Sequence, residues 1–107
     1  MSHSLIYATA PNRAAALKIA RVLVECRLVA CANVVDGATS LYWWEGQVQE
    51  EVEAILVAKT TSANASATVA KIKELHDYSC PCVVALDIAQ GNLDFLGWIT
   101  AETRPAV

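Results

Sequence analysis

Between Leu75 and Cys82 the chain reads LHDYSCPC, placing an imidazole, a phenol and two thiols within eight residues. Cys80 and Cys82 flank Pro81. In an extended segment, residues two apart face the same side with Cα atoms about 6.6 Å apart. Thiolates at that spacing can clasp a soft ion such as copper(I) or zinc, and His76 can add an imidazole. His76, Cys80 and Cys82 are therefore candidate metal ligands. A structural zinc site takes four ligands in two pairs, and only one cysteine pair is local here. Adventitious ion binding and a purely structural role stand beside the metal site as alternatives.

Other residues with chemical potential are scattered. Cys31, in ACANVV, is expected inside a sheet, where a free thiol behaves as a small hydrophobe. As a nucleophile it would need a lowered pKa and a base such as His76 close by. Glu53 and Lys59 share one face of an extended segment but lie about 20 Å apart at strand rise, too far to pair within one chain. Each needs a partner from another strand or subunit, or solvent. Glu50, Glu51 and Glu53 form an acidic cluster, suited to cations or to a solvated hairpin. In LYWWEG, adjacent tryptophans of a strand point to opposite faces, for packing or for stacking on a ligand. There is no serine nucleophile elbow, phosphate-binding glycine loop or helical histidine pair of the zinc-hydrolase kind.

The elements that must position these residues follow from periodicity. Leu5 to Ala10 reads as a buried strand stopped by Pro11. Asn12 caps a helix through Arg27 whose apolar face is Ala16, Ile19, Ala20 and Leu23. Ala30 to Val35 is a second strand, closed by the turn pair Asp36 and Gly37, after which Thr39 to Glu45 continues extended. Gly46 reverses the chain into Gln47 to Thr60, giving a long hairpin. Both faces of that return strand are apolar in its middle, so both are expected to be covered. A second helix spans about Ala63 to His76, capped by Ser62 or Asn64, and Val83 to Ile88 is the next strand. Leu93 to Thr103 is a terminal helix carrying Phe95, Leu96, Trp98 and Ile99; Gly97 inside it costs about 1 kcal/mol relative to alanine, which a close-packed neighbour would explain.

The order strand, helix, strand, strand, helix, strand predicts an α+β, ferredoxin-like βαββαβ sandwich with a long hairpin and a C-terminal helix. At 107 residues a single domain spanning 1–107 is expected. Its open sheet face and a 55% hydrophobic composition point to self-association. A net charge of −3 leaves no basic footprint for nucleic acid, and no apolar run reaches the length of a membrane span. The N-terminus lacks a signal-peptide pattern, so a cytoplasmic, reducing setting is expected, with the four cysteines as thiols.

Taken in order, ACANVVDGATSLYWWEGQVQEEVEAILVAKT, HDYSCPCVVALDI and GNLDFLGWI resemble the CutA family of divalent-cation tolerance proteins from about Leu5 to Thr103. The shared signature is A-C-x-N, Y-W-W-E-G, the K-T strand end, H-x-Y-x-x-P and the terminal Trp98. The resemblance implies a ferredoxin-like homotrimer, cytoplasmic in a bacterium, that acts in tolerance to copper and other divalent ions without established catalysis. It implies no obligatory cofactor, with copper or another divalent ion, or a small ligand, as partner. The family's intersubunit cleft carries over onto Cys31, Glu53, Lys59, His76 and Tyr78. Copper ligation attributed to some members uses a first-strand cysteine and neighbouring histidines; the matching positions here hold Ala8 and Leu75, leaving His76. Asp77, Ser79, Cys80 and Cys82 also depart from the family pattern, which leaves a thiol site private to this chain. A second expectation, from architecture alone, is an adaptor trimer like the PII signalling proteins, binding a small ligand in its clefts.

Overall fold

The structure, a computed structural model, describes residues 2–106. The elements follow as β1 (His3–Ala10), α1 (Arg13–Glu25), β2 (Cys31–Trp44), β3 (Gln47–Thr61), α2 (Ser62–Leu75), β4 (Val83–Ile88) and α3 (Leu93–Glu102). The strands form one antiparallel sheet in the order β2-β3-β1-β4. This is the expected α+β, ferredoxin-like arrangement, with the first two helices on one sheet face.

Helix α1 forms where its periodicity places it. The Asn12 side chain accepts a hydrogen bond from the Ala15 amide at 2.8 Å, satisfying a donor the helix start leaves free. Ala16, Ile19, Ala20 and Leu23 are its buried residues, as expected. Ile19, Ala20 and Leu23 meet Ile6, Ala8, Leu56, Ala58 and Ile72 in the main core, and Ala16 packs with Ala10 and Ala54 in a smaller cluster. Burying one such large aliphatic side chain stabilises the fold by roughly 1.5–3 kcal/mol.

Three local expectations need correction. Asp36 and Gly37 do not close a strand; they form a bulge inside β2, where the register with β3 slips between Val35 and Ala38. Gly37 takes φ of 76°, a backbone state glycine adopts without a Cβ penalty, and its amide donates to the Asp36 carboxylate. Helix α2 is preceded by Thr61 as cap, with no side-chain cap bond. Asn64 instead lies buried, donating to the carbonyls of Leu28 and Arg104 and accepting from the Ala106 amide. Gly97 has no close neighbour within the chain: a Cβ built there would meet nothing within 4 Å.

Antiparallel pairing sends alternate residues to opposite faces. Ile6, Ala58 and Ala32 share the helix-covered side, while Tyr7, Val57, Asn33 and Val84 share the other. On that open side Val35, Val84 and Leu86 are 50–53% exposed. Beyond the bulge, β2 and β3 extend as a hairpin closed by Glu45 and Gly46, both at positive φ, as a tight two-residue hairpin turn requires. No helix among the described residues is long and apolar enough to cross a membrane.

Candidate functional site

The segment from His76 to Cys82 leaves the end of α2 and crosses to the open face of the sheet, pinned at both ends. His76 Nε2 lies 2.7 Å from the Thr9 carbonyl oxygen, and the Tyr78 amide donates to Nδ1 at 3.1 Å. An amide can only donate, so Nδ1 is the acceptor and Nε2 carries the proton toward Thr9. Both ring nitrogens are thereby engaged by the backbone. At the far end, the Thr9 amide donates to the Cys82 carbonyl at 3.2 Å.

Tyr78 is held between two contacts. Its ring lies against His76, with centroids 4.6 Å apart, and its hydroxyl donates to Glu53 Oε2 at 3.0 Å. Glu53 is only 6% exposed. Burial, then the hydrogen bond to Glu53 and the negative charges of Glu53 and Glu51, push the Tyr78 phenol up to about 12. One strand over, desolvation and then a hydrogen bond to Glu51 also raise the Tyr42 phenol above its usual range. Glu53 thus has the Tyr78 hydroxyl as its donor. No ion pair among the described residues involves either acid.

These groups wall a cavity of about 650 Å³ on the open face, lined by Tyr7 and Thr9 of β1, Tyr42 and Trp44 of β2, and Glu51 and Glu53 of β3. Tyr78, Ser79, Cys80 and Cys82 close it from the loop. Trp44 faces the cavity while Trp43, its neighbour, is exposed on the opposite side, as strand alternation expects. Glu51 is one of the acidic cluster that the sequence offers for cations, whereas the participation of Tyr42 is not read from the sequence. Its signal was present in the period-two spacing of Tyr42 with Trp44.

The five cleft residues fall into two groups. Glu53, His76 and Tyr78 lie together. Cys31 and Lys59 are cross-strand partners six residues further along β3, about 20 Å from Glu53 at strand rise. There Cys31 is half-buried on the open face, and the Lys59 ammonium donates to Asn33 Oδ1 at 2.7 Å. Cys31 is thus remote from His76, which cannot serve as its base within one chain. Nor do the three metal candidates converge. Cys80 and Cys82 line the open-face cavity, whereas His76 lines a smaller one of about 260 Å³ with Pro11, Ala15 and Lys18. Among the described residues, no cluster of three or more His, Cys, Asp or Glu side chains could hold a metal ion.

Comparison with known proteins agrees with this architecture. Residues 4–102 match the family of the CutA1 divalent ion tolerance protein. A divalent-cation tolerance protein CutA from Thermus thermophilus is 42% identical over 99 residues, covering 92% of this chain and 96% of the relative. The chloroplastic protein CutA 1 of rice is 40% identical over 100 residues, covering 94% of this chain but 56% of that protein. The crystal structure of CutA1 from rice superposes with a TM-score of 0.95 at 38% identity, covering 99% of this chain and 97% of the other. Fold, motif order and extent of match agree: the chain belongs to the CutA1 divalent ion tolerance family.

Proposed function

We propose that this chain is a non-enzymatic, cytoplasmic homotrimer that acts in divalent-metal tolerance, copper included, by holding a cation in clefts between its subunits. The observation that carries this is Glu53. A carboxylate 6% exposed, with Tyr78 as its hydrogen-bond donor and no ion pair to a cationic side chain among the described residues, is costly in isolation. A cation from outside the chain offsets that cost. It is either a metal ion or the ammonium of Lys59 from a neighbouring copy, and a cleft between copies joins Glu53, His76 and Tyr78 of one protomer to Cys31 and Lys59 of the next. The half-exposed Val35, Val84 and Leu86 on the same face supply apolar surface for that contact. Support for a non-enzymatic role comes from His76, whose ring nitrogens are both committed to the backbone.

The competing adaptor role draws on the same cavity, whose volume suits a small molecule. Glu51 and Glu53 on its wall oppose an anionic ligand. Sedimentation at micromolar concentration should give about three times the 11.5 kDa chain mass. Calorimetric titration with copper(II) or zinc should then show binding that Glu53→Gln weakens at least tenfold without changing the mass. A monomeric chain, or equal affinity in Glu53→Gln, refutes the proposal; binding of small organic anions with no metal response favours the adaptor.

A further inference from the structure

We infer that Cys80 and Cys82 form a two-thiolate site for a soft, closed-shell monovalent ion, copper(I), at the mouth of the open-face cavity. Both residues line that one cavity, and both are free, exposed cysteines. Their loop is fixed on either side: Tyr78 is tied to Glu53 and His76, and the Cys82 carbonyl accepts from Thr9. Pro81 between them has a locked φ and no amide proton, which narrows the range of thiol separations the loop samples. The pair is therefore preorganised by contacts that do not involve the sulfurs themselves.

The surroundings select the ion. Glu51 and Glu53 are the hard donors on the cavity wall, and the buried Glu53 already accepts the Tyr78 hydroxyl. His76 has no free nitrogen lone pair and lines the other cavity. Two sulfurs remain. Zinc in a structural site asks for four ligands, and calcium or magnesium for oxygen cages, so neither is satisfied here. Copper(I) prefers thiolates and is stable with two of them in a near-linear arrangement. Binding releases one proton from each thiol and leaves the copper oxidation state unchanged. The bound unit carries a single negative charge, one less than two bare thiolates beside two carboxylates. This inference rests on the metal-handling role proposed above only for the reducing compartment that keeps both thiols free; its ligands are different from Glu53.

The test uses the reduced full-length protein and copper(I) supplied from a coloured copper(I) chelate in competition. One ion per chain is expected, with thiolate-to-copper charge-transfer absorption in the ultraviolet. Cys80→Ser and Cys82→Ser should each weaken binding at least a hundredfold, and the double variant should abolish the band. Cys26→Ser, at an exposed cysteine after α1 and outside the open-face cavity, should retain full stoichiometry and affinity. Sedimentation of every variant verifies the fold, since serine at two exposed loop positions removes no core packing. Retention of the ion by the double variant, or its loss in Cys26→Ser, overturns the site. Loss of divalent binding in Glu53→Gln with copper(I) capture intact refutes neither claim, because the two sites share no ligand. Failure of copper(I) capture alone removes only this one.

Discussion

The two faces of the sheet are built from alternate residues of the same strands, yet only one of them is finished within the chain. On the helix-covered side Ile6, Leu56 and Ile72 are fully buried, and Leu23 from α1 closes over them. On the other side, the face that also carries the buried, hydrogen-bonded Glu53, Val84 and Leu86 remain 50% exposed. The difference teaches where stability and function separate. The covered face makes the fold; the open face holds the residues with chemistry and lacks a cover for its apolar surface.

The largest expected effect comes from breaking the finished face. Leu56→Ala removes a fully buried side chain at the centre of the sheet and should cost about 2–5 kcal/mol, read as a lower urea midpoint. The counterpart on the open face is Leu86→Asp. A carboxylate there costs the isolated chain little because the position is half solvated, but it is incompatible with an apolar contact between copies. Circular dichroism should show a folded chain and sedimentation a lower mass than the unaltered protein. If Leu86→Asp unfolds the chain as thoroughly as Leu56→Ala does, the contrast between the faces is wrong.

The helix-covered face was also the more legible in the sequence. Ala16, Ile19, Ala20 and Leu23 are read from a 3.6-residue period, and that signal is local. The hairpin and its reversal at Gly46 follow from equally local cues. Asn64 was not legible in the same way: it looks like a helix cap, but it binds Leu28, Arg104 and Ala106, partners brought together only by folding. The bulge at Gly37 resembles a turn for a similar reason, since Asp-Gly serves both, and only pairing with β3 distinguishes them. At the site, the sequence named Glu53, His76, Tyr78, Cys80 and Cys82. It could not show that the histidine turns toward Thr9 and α1 while the thiols turn toward the cavity, because a bend in the loop decides it.

The smallest effect sharpens the comparison within the open face, at the Tyr78–Glu53 hydrogen bond. Tyr78→Phe leaves the acid buried without its donor and should cost about 1–3 kcal/mol. Its pH dependence has a definite sign. The folded-state phenol is raised to about 12 from the ordinary value of 10.0, so the folded chain holds the proton more tightly than the unfolded one. The stabilisation is therefore fully present below pH 10 and is lost as pH rises through about 12. Spectrophotometric titration should show a late phenolate component that Tyr78→Phe removes. The difference in urea midpoint between the two proteins should stay constant from neutral pH to about 10 and shrink above it. A difference that grows with pH over that range would mean that Glu53 does not face the Tyr78 hydroxyl, and the loop carrying Cys80 and Cys82 would lose one of its two anchors.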